Sequence, residues 1–134
     1  MYKALLKKPY LIIRKILLSP LLLKKDMTLN NKDIYKILLL RHDRVGDMTL
    51  STPVFKALKT RYPNAKITVM ASDKNQEVIR NNPNVDETLI YKGIRSFIKE
   101  TRIKNFDLAI DLFLTHELRQ ALLIYLSGAK YRLG

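Results

Sequence analysis

Ile37-Leu38-Leu39-Leu40 is a short, continuous apolar run, the pattern of a strand buried on both faces of a parallel sheet, so residues 34–40 are predicted as the first strand. Beyond it Leu50, Val54, Ala57 and Leu58 recur at the spacing of one helix face, which predicts a helix over 49–62 stopped by Pro63-Asn64. Residues 66–71 form a second strand, with Ile67, Val69 and Ala71 alternating with Thr68 and Met70. A short helical piece over 75–81 leads to the turn Asn82-Pro83-Asn84. A third strand over 88–91, a basic helix over 94–103, a fourth strand over 108–113 and a helix over 117–126 ended by Gly128 follow. Tyr131-Arg132-Leu133-Gly134 opens as another strand. Strands alternating with helices predict an α/β fold with a Rossmann-like parallel sheet.

The first 25 residues carry a different pattern. Leu5, Leu6, Ile12, Ile13, Ile16 and Leu17 fall on one side of a helical wheel and Lys3, Lys7, Lys8, Arg14 and Lys15 on the other, an interfacial amphipathic pattern. A membrane span needs about 18 uninterrupted apolar residues, and Arg14-Lys15 and Ser19-Pro20 break the runs well before that. Charges within the apolar region also argue against a secretory signal. Two short helices broken at Pro9 and Pro20 and lying on a membrane surface are the favoured reading; packing of the apolar side on the domain itself is the alternative. Residues 1–25 are thus a basic amphipathic leader, 26–33 a polar linker and 34–134 the folded body.

Charge sharpens this division. The chain has 25 Lys+Arg against 12 Asp+Glu, a net +13; seven of the bases and none of the acids precede Asp26, so everything after residue 25 keeps 18 bases against 12 acids. An anionic partner is favoured. The hydrophobic share of 47% in 134 residues is enough for one real core, and the absence of cysteine removes disulfide, thiolate-metal and thiol-nucleophile chemistry. The only glycines are Gly46, Gly93, Gly128 and Gly134, which leaves neither GxGxxG nor a P-loop. No Asp-x-Asp or His-x-x-x-His supports a metal site, and scattered tyrosines form no stacking platform for nucleic acid.

Carboxylates remain as catalytic material: Asp43 and Asp47 in the loop after the first strand, and Asp111 near the end of the fourth. Strand ends on one side of a parallel sheet converge on a ligand crevice. Asp47 is the best candidate for a general base, and an ordinary N-cap is its bland alternative. Asp43 reads first as a surface ion pair with Arg41 or Arg44, and Asp111 as strand-end structure or site residue equally. Gly46 would let the backbone turn tightly or a ligand approach. His42 and His116 have no partner at metal-ligand spacing and read as loop or capping residues. Arg95, Lys99 and Arg102 make a basic stripe on one helix face, either solvated or meeting an anionic acceptor or membrane.

Arg41-x-Asp43-Arg44-x-Gly46-Asp47, then Leu50-Ser51-Thr52-Pro53 and Arg61-Tyr62-Pro63, resembles the opening of the heptosyltransferase-type glycosyltransferases, family 9. Asn82-Pro83-Asn84-Val85-Asp86-Glu87, Phe106-Asp107-Leu108-Ala109-Ile110-Asp111 and Leu126-Ser127-Gly128-Ala129-Lys130-Tyr131-Arg132-Leu133-Gly134 resemble later landmarks of that family, in the same order.

The resemblance covers about residues 34–134. It implies the incomplete N-terminal, acceptor-side half of a two-domain GT-B glycosyltransferase, whose second domain holds most of the nucleotide-sugar site. It further implies metal-independent, inverting transfer of a sugar, typically from ADP-heptose, to a lipopolysaccharide core, without a cofactor. Asp47 matches the family's proposed base, and Arg44, Gly46, Thr52, Asp111 and Arg119 are the expected acceptor-binding residues, the two arginines facing phosphate or carboxylate. The implied partners are a lipid-linked anionic saccharide acceptor, the inner membrane surface through residues 1–25, and a nucleotide sugar only with a second domain; no nucleic acid is expected. The implied location is the cytoplasmic face of the inner membrane, peripherally bound. A catalytically dead module that binds a membrane surface or an anionic ligand with the same half-fold is the alternative.

Overall fold

A computed structural model of the chain describes residues 33–113 and 117–134. The leader 1–25, all of the linker except Asp33, and His116 lie outside the described residues. Five parallel strands, β1 (Lys36–Leu40), β2 (Lys66–Ala71), β3 (Glu87–Ile90), β4 (Leu108–Asp111) and β5 (Tyr131–Leu133), form one sheet in the order β3-β2-β1-β4-β5. Helices α1 (Val45–Arg61), α2 (Ile94–Lys104) and α3 (Leu118–Leu126) and a 3-10 turn (Gln76–Val78) connect them.

The apolar run of β1 has a direct cause in this arrangement. Ile37 and Leu39 belong to a core with Met48 and Phe55 of α1 and Ile67, Val69 and Ala71 of β2. Leu38 and Leu40 belong to a second core with Phe97 of α2, Ala109 of β4, and Leu123 and Ile124 of α3. Successive side chains of a strand point to opposite faces, and both faces of β1 are covered, so every residue from Ile37 to Leu40 is fully buried. β2 is treated alike: Thr68 and Met70 are as buried as the residues they alternate with.

The helix α1 starts four residues before the expected Thr49. Its first turn makes little core, so apolar periodicity does not register it; only Met48, Ser51 and Phe55 are buried along its length. Pro53 sits inside the helix, and its missing N–H leaves the Thr49 carbonyl without the usual helical donor. The Thr52 hydroxyl donates to that carbonyl at 2.8 Å, which repairs the gap. The fourth strand ends at Asp111 rather than Phe113, and the helical piece after β2 shrinks to the single 3-10 turn. Gly128 (φ 70) turns the chain out of α3 in the left-handed region.

Two acidic landmarks staple the amino-terminal edge of the sheet. One oxygen of Asp107 accepts the Tyr35 and Lys36 amides, both at 2.9 Å. Asp86 accepts the Ile67 amide at 2.7 Å and the Lys59 ammonium at 2.8 Å. Burial works against the Asp86 charge, yet Lys59 and the Ile67 amide hold its carboxyl below the usual carboxylate range. With these acids engaged at the amino edge, the carboxyl edge is where charged side chains of the loops gather.

Candidate active site at the carboxyl edge of the sheet

The strand order reverses at β1: the chain runs outward through β2 and β3, then returns to β4 on the other side of β1. Loops diverging from two such neighbouring strands open a crevice above their carboxyl ends. Arg41 leaves β1 at that point, and Leu112 and Phe113 leave β4.

Arg41 is the centre of the crevice floor. Its backbone amide donates to Met70 O at 3.0 Å and its carbonyl accepts the Asn75 side-chain amide at 2.9 Å, so β2 and the loop after it hold the residue from behind. Asn75 is itself fully buried, and its side-chain oxygen accepts the Ser72 amide at 2.8 Å. The Arg41 guanidinium is 3% exposed. Through Nη1 it donates to the Leu112 carbonyl, closing β1 against β4. Its other nitrogens face two carboxylates, Asp43 Oδ1 at 3.4 Å from Nε and Asp47 Oδ1 at 3.5 Å from Nη2. The Phe113 ring lies 5.7 Å from its central carbon, a cation–π contact.

Asp47 is not the N-cap of α1. Arg44 holds that position with extended backbone (φ −87, ψ 151) and no side-chain cap, and Asp47 falls in the first helical turn, where the dipole favours a carboxylate. Its second oxygen, Oδ2, pairs with Arg44 Nε at 2.9 Å. Gly46 is helical rather than a tight-turn glycine, and a Cβ placed on it would meet nothing within 4 Å; the surface over the first turn of α1 is open to approach. Asp43 pairs with Arg41 as one of the two expected partners, but the arginine is buried and the acid half-buried rather than both lying on the surface. Burial pushes the Asp43 carboxyl up, the Arg41 guanidinium opposes that, and Asp47 adds to the rise.

An aromatic cluster walls the crevice. His42 stacks on Tyr91, with centroids 4.3 Å apart, and meets the edge of Phe113 at 5.0 Å. Arg119, from α3, lies with its central carbon 5.8 Å from the Tyr91 ring and donates to the Tyr91 hydroxyl at 3.4 Å.

No protein-family model matches the chain. The chain is 32% identical over 102 residues to lipopolysaccharide heptosyltransferase 3 of Escherichia coli K12, an overlap of 66% of this chain and 28% of that protein. A putative glycosyltransferase of Haemophilus influenzae is 30% identical over 106 residues, 74% of this chain and 30% of its own length. Among solved structures, E. coli ADP-heptose LPS heptosyltransferase II superposes with a TM-score of 0.64 at 30% identity, over 72% of this chain and 29% of that one. The chain is similar to lipopolysaccharide heptosyltransferases over most of its own length. A family 9 glycosyl transferase from Veillonella parvula, 24% identical, has the same fold with a TM-score of 0.64 over 79% of this chain and 32% of that one. The chain spans less than a third of the length of these relatives.

Within this family 9 fold the residues expected at the site fall into two groups. Arg44, Gly46 and Asp47 share the first turn of α1, and Arg119 reaches the crevice wall through Tyr91. Asp111 ends β4, where its Oδ1 accepts the Phe113 amide at 2.9 Å and so braces the loop that carries the ring over Arg41. Thr52 stands apart: its hydroxyl proton is given to Thr49, and it lines an open groove of about 600 Å³ with Lys56, Glu77, Asn81 and Asn84. The basic stripe of Arg95, Lys99 and Arg102 is exposed on α2. Sequence reasoning missed Asn75, Tyr91 and Phe113 and gave Arg41 only an ion-pair role. The acids Asp43 and Asp47 close behind Arg41 were the visible signal, because Asn75, Leu112 and Phe113 lie 34 or more residues from Arg41.

Burial, and secondarily Arg119, lowers the His42 pKa to about 4 from 6.5. The unfolded imidazole takes its proton near pH 6.5 and the folded one only near 4, so this stability is complete above pH 6.5 and is lost as pH falls towards 4. Allowing for partial exposure, the loss between pH 7 and 4.5 is about 2 kcal/mol. Urea unfolding across that range checks it: His42→Phe, which keeps a stacking ring, is expected to flatten the decline, and an unchanged slope refutes the assignment to His42.

Proposed function

We propose that this chain forms the acceptor side of an inverting, heptosyltransferase-like glycosyltransferase acting on a lipopolysaccharide core, with Asp47 as the general base. The observation that carries this reading is the Asp47 carboxylate at the sheet's switch point, one oxygen facing a buried guanidinium and the other paired with the exposed side chain of Arg44. In that role Asp47 takes the proton of the acceptor hydroxyl, the oxygen attacks the anomeric carbon, and the nucleoside diphosphate leaves from the opposite face. The names of the relatives supply the substrate class: a heptose carried by ADP and a lipopolysaccharide acceptor. Arg44 and Arg119 bind anionic groups of that acceptor, Gly46 leaves room for it and Asp111 borders its path, while Thr52 would meet only a part of the acceptor that extends into the groove beside Lys56.

The nucleotide sugar binds mainly to a second domain, so residues 1–134 alone transfer no sugar. The protein works at the cytoplasmic face of the inner membrane, with the leader 1–25 as its contact with the lipid surface. Among the described residues no helix is long and apolar enough to cross a membrane.

Calorimetry of the purified chain with a phosphorylated, heptose-deficient core oligosaccharide tests the acceptor reading. Binding is expected, weakened by Arg119→Ala; absence of binding removes the acceptor role. Sugar transfer from ADP-heptose by residues 1–134 alone would overturn the assignment of the donor site to a second domain. Vesicle co-sedimentation at low salt, with and without residues 1–25, tests the leader: equal binding removes its anchoring role.

A further inference from the structure

The two oxygens of Asp47 are held very differently. Oδ1 faces Arg41, whose guanidinium is buried and tied to the Leu112 carbonyl and the Phe113 face; moving it would strand a buried charge. Oδ2 is covered by Arg44 Nε at 2.9 Å, and the Arg44 side chain is 85% exposed. An exposed ion pair of this kind contributes about 0–1 kcal/mol, so a stronger anion displaces it at little cost. A phosphomonoester is such an anion, because a guanidinium fork binds it through two charge-assisted hydrogen bonds.

We propose that Arg44 is an anion-operated cover on Asp47: a phosphate group on the incoming saccharide draws Arg44 away and uncovers Oδ2, while Arg41 keeps the carboxylate in place. The inference rests on the reading of Asp47 as the base and adds a selection step to it. While Arg44 Nε bonds Oδ2, the guanidinium takes one of that oxygen's two lone-pair directions and its positive charge makes the carboxylate a weaker acceptor of a substrate proton. An acceptor bearing the phosphate opens the base as it binds; one lacking it leaves the base covered and loses turnover as well as affinity. No bond is made or broken in this step. Only the Arg44 fork changes partner.

NMR of the full chain reads the exchange without any turnover, so it fails independently of the transferase reading. The Arg44 Nε–Hε and Asp47 carboxyl-carbon signals are followed during titration with inorganic phosphate, with glucose 6-phosphate, and with sodium chloride at matched ionic strength. Both signals are expected to move together, with one midpoint, for the sugar phosphate, and to stay in place with chloride. In Arg44→Met the Asp47 signal starts at its uncovered position and its response is lost. In Arg44→Lys, which keeps the charge without the fork, the midpoint moves to higher concentration. Movement of Arg44 without Asp47, an undiminished Asp47 response in Arg44→Met, or an equal effect of chloride overturns the proposal. A response to free phosphate with none to the sugar phosphate overturns it as a reader of saccharide acceptors.

Discussion

Arg41→Met is expected to lower the thermal midpoint of the chain by roughly 10–20 °C, the largest stability loss of any single charge change in the site. The substitution leaves Asp43 without its counter-charge and Asp47 with only the exposed Arg44, and removes the donor that closes Leu112 against β1. Removing one partner of a buried ion pair costs about 3–5 kcal/mol, and about 1 kcal/mol moves the midpoint of a domain of this size by roughly 4–8 °C; the partial exposure of Asp43 and Asp47 keeps the expected shift at the lower end of that product. Met matches the length and fills the space beside Phe113, so the loss reports the charge and the fork more than packing. Arg41→Lys should fall between, since one ammonium cannot reach Asp43, Asp47 and the Leu112 carbonyl at once. Calorimetric melting of the three proteins decides the matter; a shift under about 4 °C for Arg41→Met, equivalent to less than 1 kcal/mol, would remove Arg41 from the centre of the crevice.

Asp47→Asn is expected to act in the opposite sense, on chemistry rather than on stability. In the chain supplied with a donor-binding domain it should lower kcat by about 10²–10⁴-fold, the usual contribution of a positioned general base. Asn keeps the shape, but its single oxygen can accept from only one of Arg41 and Arg44 while its NH2 faces the other; with the Arg41 guanidinium still in place, the melting temperature should move less than for Arg41→Met. A kcat loss with little change in the acceptor KM places Asp47 in the reaction; a KM rise at unchanged kcat would make it a binding residue only. Comparison with Arg44→Met separates the base from its cover: the cover variant keeps a working carboxylate and loses discrimination between phosphorylated and unphosphorylated acceptors.

Much of the scaffold is visible in local pattern. The run Ile37 to Leu40 announces burial on two faces, and β2 coincides with the predicted 66–71 because both ends of the strand are marked by turn residues. Helix α1 is less legible at its start: Val45, Gly46 and Asp47 are half-buried or exposed, and a turn that packs only Met48 leaves no periodic trace. That four-residue difference matters for the site, since it moves Asp47 from a capping position into the first turn and gives the cap position to Arg44. Asp86 and Asp107 were visible as landmarks of a resemblance, but their work as staples of the amino edge required knowing which amides stand opposite them.

The sequence by itself determined the α/β alternation, the parallel sheet, the resemblance to family 9 glycosyltransferases and the loop that carries Asp47, because each of these is written in spacing over a few consecutive residues. Only the tertiary structure decided that Arg41 is buried, that it joins β1 to β4 and that it holds Asp43 and Asp47 together. The same is true of the wall that His42 builds with Tyr91 and Phe113. These facts depend on the strand order β3-β2-β1-β4-β5, which brings residues 34 to 71 positions apart into contact at one sheet edge. A guanidinium's burial, partners and freedom to move are properties of that edge, and no local pattern of apolar and polar positions encodes them.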